Sequence, residues 1–283
     1  MEHKYTPQGH ATSSGILITS VIGILAAIIL PLIYIILGRL IPNIWFIAII
    51  AAFLGMGTGF FIDLGVKLGK IRNKKIVTVI AICCGLLAFY TQWVFFDTLI
   101  YSQKGFTFNL NATDFKVLTD DFFFIFTHPN ILFQEIINLN EIGTFRISGS
   151  DTVRGLLLWV IWAGEFLVIL GGTLFAVLNG QVIKPFSETN DQWMIKRKFH
   201  HRIPFVDSKD LLVTELNNKN FALLNDQPSL GNDANYAEVV IFESTGDPTK
   251  YVSVLNVSNP TGKAKDKKMV NVLSFFPLQN ANI

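Results

Sequence analysis

Four long apolar segments dominate this sequence and limit the folds that the chain can adopt. A helix that crosses the ~30 Å hydrocarbon core of a bilayer needs about 20 mostly apolar residues. Four stretches meet this length, with spans at about 15–37, 42–63, 76–98 and 156–178. Apolar residues other than glycine make up 51% of the 283 residues, more than in ordinary soluble domains. The sequence therefore predicts an α-helical polytopic membrane protein with a bundle of four transmembrane helices.

The lysines and arginines outside the spans are distributed unevenly, and this predicts the orientation of the helices. The segments 63–75 and 184–202 each hold five basic residues, whereas the loop 102–154 holds four basic and six acidic residues. Under the positive-inside rule the two basic segments lie in the cytoplasm. Because the number of spans is even, both termini are then cytoplasmic, and the loop 102–154 is extracytoplasmic.

The basic clusters also predict contacts with the lipid bilayer. Lysine and arginine next to the end of a transmembrane helix are attracted to anionic headgroups on the cytoplasmic side. The residues expected there are Lys67, Lys70, Arg72, Lys74, Lys75, Lys196, Arg197 and Lys198.

The chain after the last span has the composition of a separate small module. From residue 203 onward charges are interspersed, and Ser208 precedes a helical pattern that runs to about 224. Three strand-like runs separated by turn residues follow, which favours an antiparallel meander. The runs are 236–244, 251–258 and 269–276.

The complete predicted organisation has four parts. They are a cytosolic N-terminal tail (1–14), a membrane domain (15–183), a basic juxtamembrane segment (184–202) and a cytosolic α+β module (203–283). Within the outer loop, Pro129 begins a helical pattern that ends near Asn140. The pattern leaves open whether the segment 122–140 is interfacial, re-entrant or soluble.

Glu165 stands near the middle of the fourth span. No lysine or arginine occurs within any of the four apolar runs, so a charged carboxylate there costs a few kcal/mol or more. The sequence predicts that Glu165 is protonated at neutral pH and faces the bundle, where it donates a hydrogen bond to Gln92, Tyr90 or a backbone carbonyl. Such a group is either a structural hydrogen bond or part of a proton or ion pathway.

Small residues recur at intervals of four in the second span. Ala51, Gly55 and Gly59 form a small-xxx-small stripe, which lets two helix backbones approach closely in lipid. The stripe predicts a helix-packing surface, either within one chain or between subunits.

Catalytic and metal-binding motifs are absent from the sequence. It contains no P-loop, dinucleotide fingerprint, HExxH motif, zinc-type CxxC pair or nucleophile elbow. We therefore expect no enzyme activity, no cofactor, no metal site and no nucleic-acid partner.

Two segments beside the spans carry a family resemblance. Residues 65–73 read GVKLGKIRN, and residues 185–193, after the last span, read PFSETNDQW. Together they resemble a family of uncharacterised bacterial four-helix inner-membrane proteins with a GxxLGKxRN loop, whose members often carry a PFCxxC segment before a tryptophan. The family's cysteine pair implies a metal knuckle, but Ser187 and Asn190 stand at those positions here. The resemblance thus implies a topology and no activity.

These features favour a multi-pass protein of the bacterial inner membrane that acts as a scaffold or sensor subunit. It would oligomerise, or recruit a protein partner through its cytosolic module. The alternative is a transport or pore component with Glu165 as an intramembrane proton or ion site. A membrane-embedded enzyme ranks third, because no nucleophile, base and metal ligands cluster in the sequence.

Overall fold

The computed structural model describes most of the chain as two compact units. The described residues of Gly9–Val182 form a helical unit, and those of Met1–Gln8 and Ile183–Ile283 form a unit that contains a five-stranded sheet. The described ranges are 5–41, 43–101, 112–146, 152–199, 202–225, 235–260 and 268–279. Undescribed residues fall in all four predicted parts: 1–4 in the tail; 42, 102–111 and 147–151 in the membrane domain; 200–201 in the basic segment; and 226–234, 261–267 and 280–283 in the α+β module.

The helical unit contains six helices among its described residues. In chain order they are α1 (Ser13–Leu40), α2 (Ile44–Gly69), α3 (Lys74–Phe96), α4 (Ala112–Thr127), α5 (Pro129–Ile142) and α6 (Leu156–Leu178). Of these, α1, α2, α3 and α6 are long and apolar enough to cross a membrane, which confirms the predicted number of candidate spans. A π-helical turn (Asp97–Tyr101) extends α3.

Asparagine side chains begin two of these helices. Asn43 accepts hydrogen bonds from the backbone N–H groups of the first turn of α2, and Asn73 does the same for α3. Such caps satisfy N–H groups that have no partner within the helix. The last residue of each short turn, Asn43 or Asn73, therefore fixes where the following helix begins.

The four long helices pack as a bundle in which α1 and α6 each contact α2 and α3. The backbones of α1 and α2 touch at Gly15 and Gly69, and Gly65 lies against Thr19. A Cβ atom at any of these glycines would collide with the facing helix. The short turn between α1 and α2 therefore produces the tight helical hairpin that the sequence predicts.

The sheet-containing unit is antiparallel. Strand numbering begins in the helical unit, where two antiparallel strands of two residues each, β1 (Phe145–Arg146) and β2 (Thr152–Val153), lie just before α6. The second unit then contains β3 (Phe186–Ser187), β4 (Gln192–Trp193), β5 (Ile195–Lys198), β6 (Ile203–Pro204), α7 (Lys209–Asn217), α8 (Ala222–Asn225), β7 (Tyr236–Glu243), β8 (Thr249–Ser258) and β9 (Lys268–Gln279). The strand order is β5-β7-β8-β9, and β6 also pairs with β7.

The core of this unit lies between α7 and one face of the sheet. Alternate residues of β7 and β8, such as Val239, Ile241 and Val252, point to this face and are fully buried. Leu212 and Leu216 of α7 complete the cluster. The predicted C-terminal meander of three strands is confirmed by the pairing of β7, β8 and β9.

Two predicted boundaries differ from the structure. The segment 184–202 is not a linker separate from 203–283, because β5 pairs with β7 inside the same sheet. The helix predicted over 208–224 is divided into α7 and α8. Lys219, which follows α7, has a left-handed φ of 59°, and this backbone conformation ends the helix.

Candidate functional site

A hydrogen bond between Tyr34 and Glu165 joins α1 to α6, two helices that pack mainly against α2 and α3. The Tyr34 hydroxyl on α1 donates a hydrogen bond of 2.5 Å to Oε1 of Glu165 on α6. Tyr34 is buried, and it packs with Leu54 of α2 and Ile169 of α6. Glu165 therefore faces the bundle, and its carboxylate accepts a hydrogen bond from a side chain that the sequence analysis did not propose.

Gln92 also approaches the carboxylate, as predicted. Its side chain on α3 interacts with Glu165 and is only 3% exposed. Within the described residues, Oε1 of Gln92 accepts no hydrogen bond, and the buried hydroxyl oxygen of neighbouring Thr91 has no partner either. The Tyr34 hydroxyl and the Gln92 amide thus both bond to Glu165, and Oε1 of Gln92 is a buried acceptor that no described residue pairs.

Tyr90, the other predicted partner of Glu165, lies elsewhere. Its hydroxyl donates a 2.7 Å hydrogen bond to the backbone carbonyl of Phe126, the second-last residue of α4. This bond fixes the end of α4 against α3. The prediction that placed Tyr90 beside Glu165 was wrong, because Tyr90 and Gln92 project from different sides of the same helix.

The predicted packing stripe lies against α6 of the same chain. A Cβ atom at Gly55 would collide with the backbone of Ile169, and one at Gly59 would collide with the carbonyl oxygen of Thr173. The Thr173 hydroxyl donates to the carbonyl oxygens of Gly55 (3.0 Å) and Ile169 (2.9 Å). Ala51 is fully buried on the same side, so the stripe seats an intramolecular neighbour.

Among the basic residues of the turn after α2, only Arg72 is withdrawn from the surface. Its side chain is buried, whereas Lys67, Lys74 and Lys75 are exposed and Lys70 is half-exposed. The Arg72 backbone also exchanges two hydrogen bonds with residues 9–10 of the N-terminal segment. The prediction of a headgroup contact at Arg72 was therefore wrong.

The basic residues of β5 have partners within the sheet. Arg197 pairs with Glu243 at 2.8 Å, and Lys198 pairs with Glu238 at 2.7 Å. Both acids lie on the adjacent strand β7, so these are cross-strand ion pairs. Lys196 is exposed. Both paired side chains stay about half exposed, at 47% for Arg197 and 56% for Lys198, so their contact with lipid headgroups remains a prediction.

The β3–β4 hairpin, which carries the second resemblance motif, is held by polar side chains. Ser187 donates to the carboxylate of Asp247 at 2.5 Å, and Asn190 donates to the hydroxyl oxygen of Ser244 at 2.7 Å. These bonds link the hairpin to the turn between β7 and β8. Burial, assisted by the nearby carboxylates of Asp247 and Glu188, raises the pKa of Tyr251 in this region.

An aromatic pocket of about 470 Å³ opens between α3, α5 and α6. It is lined by Phe89, Tyr90, Trp93, Pro129, Leu132, Phe133, Ile136, Trp159, Trp162, Ala163 and Phe166. Trp93 and Trp162 are buried and make an edge-to-face contact with centroids 4.8 Å apart. These two tryptophans are core residues.

Within the described ranges, no group of three or more His, Cys, Asp or Glu side chains is arranged to hold a metal ion. Comparisons of the chain with protein-family models, with curated proteins and with solved structures found no match.

Proposed function

We propose that this protein is a multi-pass scaffold of the bacterial inner membrane that recruits a partner protein through its cytosolic sheet. The four long helices would cross the membrane with both termini in the cytoplasm. The uneven distribution of basic residues supports this orientation. The observation that carries the recruiting role is the outer edge of β9, on which the described residues place one backbone hydrogen bond, from Tyr5.

β9 is a long strand at the edge of the sheet. It pairs with β8 on one side. On the remaining edge, in the part of the chain that the structure describes, Tyr5 donates a backbone hydrogen bond of 3.0 Å to the carbonyl of Phe275. Met269 and Val270, at the start of β9, are 54% and 59% exposed. Exposed edge strands with apolar side chains bind further strands readily, and proteins usually protect them.

The contact of Tyr5 supports an extended segment with an aromatic side chain as the kind of partner that would bind at this edge. The Tyr5 ring packs edge-to-face on Tyr251 of β8, with centroids 5.1 Å apart, while its backbone N–H bonds to β9. An extended peptide with an aromatic side chain would make the same two contacts. Strand addition of this kind supplies main-chain hydrogen bonds for affinity and side-chain pockets for specificity.

The helical unit suits an anchoring role. Close backbone contacts join α2 to α6 at Gly55 and Gly59, and join α1 to α2 at Gly15 and Gly69. Backbones in direct contact cannot separate without losing dispersion and hydrogen-bond energy. Such a bundle would anchor the recruiting sheet at the membrane, and this role would need no conformational change.

Photocrosslinking in cells tests the recruiting role. A photoreactive amino acid at Val270 of the full-length protein is expected to give one adduct with a different protein. A matched position is Leu211, which is 66% exposed and lies on the helix α7, not on the edge of β9, so that no adduct is expected there. The additional substitution Met269→Lys should lower the adduct yield about tenfold, as a loss of ~1.4 kcal/mol of binding energy would do.

Two results would contradict the proposal. Equal adducts at Val270 and Leu211 would mean that crosslinking reports collisions and not docking. An adduct with a second copy of the chain would indicate self-association at this edge instead of recruitment.

A further inference from the structure

Glu165 has a charge that its surroundings in the chain do not balance. The sequence contains no lysine or arginine within residues 13–38, 40–66, 76–96 or 156–183. The nearest basic residue on α1 is Arg39, five residues beyond Tyr34, and its side chain is exposed at the end of the helix. Taking such a charge out of water without a partner is costly, so the site needs one positive charge.

Two side chains donate hydrogen bonds to the carboxylate, and one of them also carries an acceptor oxygen that no described residue pairs. Tyr34 supplies one hydrogen-bond donor to Oε1. The side-chain amide of Gln92 approaches the same carboxylate, and its buried Oε1 accepts no hydrogen bond from the described residues. Buried oxygen atoms of this kind are normally paired. Oxygen ligands gathered around a single carboxylate fit a hard cation or a proton and do not fit soft metals.

We infer that Glu165, together with Gln92 and Tyr34, forms a binding site for one monovalent cation, a proton or Na⁺, inside the helical bundle. One charge is sufficient because the site contains one carboxylate. The next acid on α2, Asp63, accepts a hydrogen bond from the backbone N–H of Gln181, beyond the end of α6. Asp97 follows the last residue of α3. Neither acid is at the level that a divalent ion bound to Glu165 would require.

Other ionisable groups lie on the elements around the site, and a test must separate Glu165 from them. On α1 they are Tyr34 and Arg39, on α2 Asp63 and Lys67, on α3 Lys74, Lys75, Cys83, Cys84 and Tyr90, just beyond it Asp97, and on α5 Glu135 and Glu141. The substitution Glu165→Gln leaves all of these in place and keeps a hydrogen-bonding side chain of the same size. The difference between wild type and Glu165→Gln therefore reports the carboxylate alone.

Thermal unfolding of the purified full-length protein in detergent tests the inference. Tm is measured while choline chloride is replaced by NaCl at constant ionic strength, and again as a function of pH in choline chloride. If the cation is Na⁺, the Tm of the wild type rises with NaCl and that of Glu165→Gln does not. If it is a proton, NaCl has no specific effect. The wild type then loses stability relative to Glu165→Gln as the pH rises, because ionisation leaves a buried charge.

The opposite outcome is equally clear. If wild type and Glu165→Gln respond identically to NaCl and to pH, while Glu165→Leu alone is less stable, the glutamate is a structural hydrogen-bonding residue and the inference is overturned. Should Glu165→Gln fail to fold, Gln92→Leu takes its place, since it removes a ligand oxygen and keeps the carboxylate. This variant must shift the NaCl or pH midpoint of the Tm curve, and an unshifted midpoint again overturns the cation site.

Discussion

Replacing Gly55 with alanine is expected to destabilise the helical unit by about 1–3 kcal/mol, the usual cost of inserting atoms into a packed interior. The added Cβ atom would meet the backbone of Ile169 on α6. Backbone atoms cannot turn aside as a side chain can, so the two helices must move apart. Gly59→Ala should have a similar effect, because its Cβ atom would meet the carbonyl oxygen of Thr173 and the methyl group of Ala176. Unfolding by a denaturing detergent measures both changes.

Two glycines of α6 provide matched controls. A Cβ atom at Gly164 or at Gly171 has no heavy atom of the described structure within 4 Å. Alanine at either position should be neutral or stabilise the helix by up to ~1 kcal/mol, because glycine is a poor helix former. If Gly55→Ala and Gly59→Ala were as harmless as these controls, the contact between α2 and α6 would be contradicted.

Leu212→Ala is expected to destabilise the sheet-containing unit by about 2–5 kcal/mol, as is usual for truncating a buried leucine. Leu212 is 2% exposed and joins α7 to the buried face of the sheet. Alanine would leave a cavity between the helix and the strands. Chemical denaturation, monitored by a spectroscopic signal that reports on this unit, measures the change in the free energy of unfolding.

The adjacent Leu211 is the control for this prediction. It has the same side chain in the same helix but is largely exposed, so Leu211→Ala should change the free energy of unfolding by no more than about 0.5 kcal/mol. Similar losses at both positions would mean that α7 does not pack on the sheet as described.

The main elements could be predicted because they depend on local patterns. Span length follows from hydrophobic thickness, and Asn43 and Asn73 mark the starts of α2 and α3. The stripe at Gly55 and Gly59 could also be recognised, because small residues at intervals of four have few other uses in an apolar helix. The sequence did not predict which helix packs against the stripe, because several apolar helices of similar length were available.

The partner of Glu165 was harder to predict. The spans are apolar on nearly all sides, so no hydrophobic periodicity reveals how each helix is rotated. The sequence could therefore not show whether Gln92 or Tyr90 projects toward Glu165, and the prediction was right for Gln92 and wrong for Tyr90. Tyr34 could have been considered, because it is the one tyrosine in α1 and a polar group within a long apolar run.

Long-range pairing made the surroundings of the basic residues hard to predict. Arg72 is buried, and its backbone bonds to residues 9–10, which are distant in sequence. Arg197 and Lys198 belong to a short strand whose partner, β7, begins at Tyr236. A run of consecutive basic residues has no strand-like alternation, and nothing local shows that acids on another strand will pair with it.

The most direct test of the membrane scaffold is the accessibility of single cysteines from outside the cell. On a background with Cys83→Ser and Cys84→Ala, cysteine replaces either Asn130 at the start of α5 or Thr245 in the turn after β7, both of which are exposed. Intact cells are treated with a membrane-impermeant thiol reagent. We expect that the Asn130→Cys variant is labelled and that Thr245→Cys is labelled only after the cells are permeabilised. Labelling of Thr245→Cys in intact cells would place the sheet outside and contradict the proposed function.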